Sequence, residues 1–193
     1  MATTVATQIE VGWPMTYASL KEMPQDGNRY EIIDREPFLS SAPSLLHAEV
    51  VARLFVLSRV FVLQHQLGGR VFTAPGHVRF THLRVVEPDV VYVGPTKSLL
   101  MADPALIDGA PDLVVEVVSP SSRRYDQDLK FRVYAEGGVL EYWLADPQRR
   151  MLTIFAREES GFVALPVAGG VVRPRLLPGL EVDVASLFAD LLP

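Results

Sequence analysis

The chain has 193 residues, 49% of them hydrophobic and 21% charged, with a formal net charge of −5. That length and apolar content suit one globular domain over 1–193 with a sizeable core. The acidic balance argues against a protein coated with basic surface, though not against a local basic groove. The absence of cysteine excludes disulfides, thiolate zinc sites and cysteine nucleophiles. Residues 1–11 lack the basic start and long apolar core of a signal peptide, and no run of about 18 apolar residues marks a membrane span. The expectation is a soluble protein of the cytoplasm.

Tyr30-Glu31-Ile32-Ile33-Asp34 and Pro37-Phe38-Leu39, joined by Asp34-Arg35-Glu36, suit an N-terminal hairpin. From Ser44 to Gln66 neither Gly nor Pro interrupts a run rich in Leu, Val and Ala. It predicts one helix, with Ser44 as N-cap and Gly68 as the stop. Its apolar residues spread around much of the circumference, so either the core or a second subunit covers more than one side. Short β-rich stretches follow at Arg70–Ala74, Gly76–Phe80, Arg84–Val93 and Asp112–Val118. Helical spacing returns from Ser121 to Ala135 and closes at Gly137-Gly138. Leu140–Ala145 reads as a buried strand, Met151–Ala156 with Gly161–Leu165 as an outer hairpin, and Leu187–Leu192 as a short closing helix. The order helix, three strands, helix, strand over about 44–147 defines an α/β sandwich around a mixed sheet, with β-hairpin additions at both ends.

Three ionisable residues stand out because folding alone would not require them. Asp89 follows Pro88 and leads into Val90-Val91-Tyr92-Val93, Glu116 sits inside Leu113-Val114-Val115-Glu116-Val117-Val118, and Lys130 lies on the next helix. A carboxylate inside an apolar strand loses hydration and must find a cation, hydrogen bonds or a proton. Two such acids on neighbouring strands, with a lysine nearby, suit a hard divalent cation and a polarised water. Asp112 and Glu116 share a strand face but stand about 13 Å apart, too far for one ion. Asp89 and Glu116 converge if register brings them level.

Pro88-Asp89, Glu116-Val117-Val118 and the delayed Lys130 resemble the PD-(D/E)XK nuclease superfamily, in the form whose lysine has moved from strand to helix. The run Pro111-Asp112-Leu113-Val114-Val115-Glu116-Val117-Val118-Ser119-Pro120-Ser121-Ser122, with Asp126, Lys130, Tyr134 and Gly138 to Pro147, resembles more narrowly the Uma-two family of restriction endonuclease-like proteins. The likeness extends to Tyr30–Asp34, His47 and Leu177-Pro178-Gly179-Leu180. Two positions depart from it: Arg35 stands where the family usually has Gly, and Val118 replaces the lysine of the standard motif. The resemblance implies a restriction-endonuclease-like fold, Mg²⁺ or Mn²⁺ dependence and a nucleic-acid substrate, DNA in the first instance. It assigns Asp89, Glu116 and the Val117 carbonyl to the metal, and assigns Lys130 to orienting or deprotonating the attacking water.

Each residue also has a structural reading. Asp89 fits a strand start after proline, and Lys130 fits an i,i+4 pair with Asp126. Tyr134 either positions Lys130 or packs. Glu31 approaches the metal or pairs with Arg29 or Arg35, and Glu49 supplements the site or pairs with Arg53. His47 caps its helix or touches substrate, while His77 and His82 lie near turns. Arg79, Arg84, Arg123 and Arg124 are phosphate contacts or a solvated face. The competing function classes are a nuclease-fold protein that binds nucleic acid without cleaving, and a homodimeric interaction module joined through the long helix.

Overall fold

Alternating apolar residues punctuated by Pro and Gly build three sheets, and one long helix packs against a face of the second. The computed structural model describes residues 7–8, 15–24, 26–40, 42–74, 76–119 and 125–191, with backbone alone at 7, 8, 126 and 127. In chain order the elements are β1 (Thr7–Gln8), α1 (Tyr17–Leu20), β2 (Arg29–Ile33), β3 (Glu36–Ser40), α2 (Leu45–Gln64), β4 (Arg70–Thr73), β5 (His77–Thr81) and β6 (Arg84–Val86). Then come β7 (Val90–Val93), β8 (Leu106–Asp108), β9 (Leu113–Val117), α3 (Phe131–Gly137), β10 (Glu141–Asp146), β11 (Met151–Glu158) and β12 (Gly161–Ala164). The chain finishes with β13 (Val167–Ala168), β14 (Val171–Val172), β15 (Val182–Asp183) and α4 (Val184–Leu187).

The first sheet runs β1-β3-β2-β6-β5-β8 and the second β12-β11-β10-β9-β7-β4, with β13-β14-β15 as a small third. In the second sheet β9 pairs parallel with β10 across α3, and antiparallel with β7. The expected order of helix, three strands, helix, strand is therefore α2, β4-β7-β9, α3, β10. Arg84–Val93, read as one β-rich stretch, divides at Glu87-Pro88-Asp89, where β6 of the first sheet gives way to β7 of the second. Pro88 has no N–H for a ladder, which makes this a natural crossing point. β8 has no counterpart in the sequence reading.

One core packs Val50, Leu54, Phe61 and Val62 of α2 against Val90, Tyr92, Val115 and Trp143 of the second sheet. On that sheet's other face, Val91, Val114, Val118, Tyr142 and Leu144 meet Val133 and Tyr134 of α3 and Ile33, Phe38 and Val78 of the first sheet. Because β9 is buried along its whole length, a charge placed there lies between two apolar layers.

Ser44 caps α2 by accepting from the His47 N–H at 3.2 Å, as its position before the apolar run predicts. The helix ends earlier than Gly68 suggests. Gln66 takes the left-handed conformation (φ 53°), donates to the Leu63 carbonyl at 3.2 Å, and is followed by Leu67, which donates to Val62 at 3.1 Å. This is a Schellman closure with Gln at the position glycine favours. The closing helix also differs from expectation: it is α4, because Asp183 accepts from the Ser186 N–H and starts the turn three residues early.

Asp34 and Arg35, at φ 52° and 78°, form the tight turn between β2 and β3. Arg35 thus holds a backbone conformation that suits the glycine usual there. We predict that Arg35→Gly and Gln66→Gly each stabilise the fold by about 1 kcal/mol. Urea unfolding checks this as a higher midpoint at unchanged slope, and a lower midpoint for either variant contradicts it.

Candidate active site

The pairing Val90↔Val115 between β7 and β9, extended by one residue, sets Asp89 level with Glu116. The condition for the two acids to converge is therefore met. Val118 N–H donates to the Ala145 carbonyl at 2.8 Å in the ladder with β10. The polar groups of Val117 consequently turn the other way, and its N–H donates to Asp89 Oδ2 at 2.8 Å. The Val117 carbonyl lies on that same side of the strand, since both peptide groups of a β residue project to one edge.

Asp89 is 1% exposed and binds cationic or polar groups from three elements. Besides Val117, its Oδ1 takes Arg29 Nη1 from β2 at 2.6 Å and His47 Nε2 from α2 at 2.9 Å. Burial alone would raise the Asp89 carboxyl; the hydrogen bond and charge of His47, together with Arg29, outweigh it and bring it from 3.8 down to about 2. Burial likewise opposes the Arg29 charge, and the Asp89 and Glu87 carboxylates more than restore it, so its pKa is raised. Glu87, 3.7 Å from Arg29 Nε, is pushed up by burial against the pull of Arg29.

A second set of contacts joins Glu116 to Lys130. Lys130 Nζ lies 3.0 Å from Glu116 Oε1 and 2.9 Å from Glu31 Oε1, with the lysine 4% exposed. The local reason for its inward reach is a π-helical turn, Tyr125–Lys130, just before α3. Such turns shift the helical register and recur at functional sites. Tyr134, one turn further on, donates its hydroxyl to the same Glu116 oxygen. Burial first, and Glu116 second, push the Tyr134 hydroxyl well above its ordinary value, so it stays a donor. Glu31 also accepts from the Glu87 N–H at 2.7 Å and the Tyr125 hydroxyl at 2.9 Å.

The structure thus unites Asp89, Glu116, Lys130 and Tyr134, and adds Glu31, His47, Arg29 and Glu87. Sequence spacing gave no sign of the last two; for Glu87, its position flanking Pro88 opposite Asp89 was the available signal. Glu31 pairs with Lys130 rather than with Arg29 or Arg35. Glu49 pairs with Arg53 at 2.5 Å and stays outside the cluster. Asp112 accepts from the Gly94 N–H at 2.6 Å and Lys97 at 2.9 Å, a staple at the far end of β9. Arg79 binds Asp108, and Arg84 binds Asp34 and Glu136, on the surface. His77 packs on Tyr17, and burial lowers its pKa. His82 lines an open cleft of about 710 Å³ with Tyr17, Lys21 and Arg79, apart from these acids. Arg123, Arg124 and the Asp126 side chain lie outside the described residues.

Among the described residues no three acids or histidines are grouped closely enough to enclose a metal ion. The donor set nevertheless fits Mg²⁺ or Mn²⁺, which is commonly held by one or two carboxylates and completed by water and phosphate. Asp89, Glu116 and the Val117 carbonyl offer hard oxygen donors at one level of two paired strands. Four buried acids, Glu31, Glu87, Asp89 and Glu116, face two basic side chains, Arg29 and Lys130, among the described residues. The excess is negative, as a divalent cation requires. Arg29 and His47 are the more exposed members, at 19% and 13% of their side chains.

The family Uma2, described as "Putative restriction endonuclease", matches residues 17–185. Among solved structures, the crystal structure of "a putative nuclease belonging to DUF820 from Anabaena variabilis ATCC 29413" superposes with a TM-score of 0.76 at 18% identity, covering 93% of this chain and 100% of that one. At that identity the likeness establishes the fold. No curated protein matches.

The lowered Asp89 carboxyl predicts a stability profile. Its folded value, about 2, lies below the ordinary 3.8, so the stabilisation is fully present above about 4 and fades as pH falls through 3.8 towards 2. Asp89→Asn is expected to cost about 2 kcal/mol at neutral pH. That gap from wild type should narrow in urea titrations between pH 4 and the lowest pH at which both remain folded. A gap that widens on acidification contradicts the pairing.

Proposed function

The chain belongs to the Uma2 family, and on that premise we propose that it is a metal-dependent endonuclease hydrolysing phosphodiester bonds in nucleic acid, DNA in the first instance. The observation that carries this reading is Lys130 held within 3.0 Å of Glu116 while Asp89 stands level with the same glutamate. Folding alone gives no reason to bury so many charges, since well-packed apolar residues generally do as well. We treat 1–193 as one nuclease domain, with its core at about 44–147.

Asp89, Glu116 and the Val117 carbonyl would hold Mg²⁺ or Mn²⁺. Such an ion supplies Lewis-acid polarisation of a phosphate oxygen and lowers the pKa of a bound water. Lys130, kept between Glu116 and Glu31, stands beside the place where that water attacks: as the ammonium it orients the water, and as the neutral amine it takes the water's proton. Tyr134 holds the Glu116 oxygen that Lys130 shares. Glu31 fixes the other side of the lysine, so its ammonium has one position rather than a rotamer cloud. Arg29, the most exposed cation of the cluster, is placed to meet a phosphate arriving from solvent. Among the described residues no helix is long and apolar enough to cross a membrane. Nucleic acid and Mg²⁺ meet in the cytoplasm, which this reading takes as the compartment. Cutting both strands of a duplex needs two sites, which a homodimer supplies.

The test pairs calorimetric titration of Mn²⁺ with a cleavage assay on plasmid and single-stranded DNA. Wild type should bind the ion and cut. Asp89→Asn and Glu116→Gln should lose both. Lys130→Ala should keep ion binding and lose about 10²- to 10⁴-fold in rate. Binding and cleavage indifferent to all three substitutions would overturn the assignment. Binding of DNA without any cutting would favour the non-catalytic reading.

A further inference from the structure

Helix α2 is apolar on both sides. Its inner face buries Val50, Leu54, Phe61 and Val62, while Leu45, Ala48, Ala52, Val56, Val60 and Leu63 are exposed along the outer face. Leu45 is 78% exposed, Leu63 57%, Val56 54% and Val60 41%. Steps of three and four residues keep these six on one stripe. A soluble helix normally sets charges there, so a continuous apolar stripe marks a contact surface.

The order of residues along the stripe says what covers it. About position 54 the stripe is symmetric in kind: Leu45 mirrors Leu63, Ala48 mirrors Val60, and Ala52 mirrors Val56. The flanking charges are opposite at mirrored positions, with Glu49 five residues before the centre and Arg59 five after. Arg59 makes no hydrogen bond or ion pair among the described residues. A stripe that is self-complementary on reversal fits a second copy of itself run antiparallel. Each leucine then meets a leucine, each alanine makes room for a valine, and each Arg59 comes level, across the seam, with the other copy's Glu49, which Arg53 of that copy holds at 2.5 Å. Antiparallel helix dipoles add to the fit. An open groove of about 780 Å³ between α2 and α4, lined by Ala52, Val56, Leu57, Val182 and Leu187, continues the apolar surface along one flank.

We propose that the protein is a homodimer in which the outer face of α2 packs antiparallel against the same face of a second copy, about a twofold axis level with residue 54. His47 projects from the inner face towards Asp89, so each candidate site lies on the far side of its own helix from the partner. The assembly needs neither metal nor nucleic acid, so its failure and the failure of the nuclease reading are separable.

The absence of cysteine makes cross-linking clean. In the full-length double variant Leu45→Cys/Leu63→Cys, the two positions face each other across the axis, and mild oxidation should give a covalent dimer. Each single variant should fail to cross-link, because identical positions stand 18 residues, about 27 Å, apart, far beyond the roughly 7 Å a disulfide spans. Wild type should sediment as a dimer, and Val56→Lys, an exposed position, as a folded monomer by circular dichroism. A monomeric wild type up to hundred-micromolar concentration overturns the proposal, as does cross-linking of either single variant as readily as the double.

Discussion

Asp89 ties together at one point three parts of the molecule that otherwise meet mainly through apolar packing. Its carboxylate takes Arg29 from the first sheet, His47 from the long helix and the Val117 N–H from the central strand of the second sheet. A buried carboxylate loses several kcal/mol of hydration unless such partners replace it. The three contacts are therefore conditions on the fold: the hairpin must lie against the β6–β7 crossing, and the start of α2 must pass over it. The position of Glu116, Lys130 and Glu31 follows, because β9 is registered on β7 and the first sheet supplies Glu31 two residues beyond Arg29.

The lysine illustrates how a helix substitutes for a strand. In the standard motif the cation sits two residues after the glutamate, where this chain has Val118, which is 3% exposed and packed in the core. An ammonium at that place would displace apolar contacts on the α3 face. The π-helical turn brings Lys130 back to Glu116 from above, and Tyr134, one turn on, reaches the same oxygen. Under the proposed function the role is retained while the residue that carries it changes element.

Much of this architecture was legible because it rests on local chemistry. The hairpin, α2 with its Ser44 cap, β9, β10 and the β11–β12 hairpin each follow from periodicity and turn residues. Glu116 stood out as an acid within an apolar run. The helix ends were harder, since Gln66 and Asp183 act through backbone geometry and capping bonds that glycine counting misses. The division of Arg84–Val93 between two sheets was invisible, because both halves alternate in the same way and strand partners are non-local. The partners of Glu31 and His47, and the place of Arg29 and Glu87 in the cluster, were obscured for a related reason. Spacing identifies neighbours such as Glu49 and Arg53, whereas Glu31 meets a lysine 99 positions away. Lys130 itself needed the family resemblance, because i,i+4 spacing to Asp126 accounts for it equally well.

The four buried acids are partly balanced from within before anything binds, by a guanidinium and a lysine belonging to the chain itself. Many small metal-binding domains stay unfolded until the ion arrives, since the ion alone resolves the repulsion among its ligands. Here part of that repulsion is already relieved by Arg29 and Lys130. If the site is the metal centre proposed above, the chain can fold first and take up the ion afterwards by exchange against its own side chains. On the proposed reading, maturation and arming are two separate events, and ion concentration governs the second without touching the first.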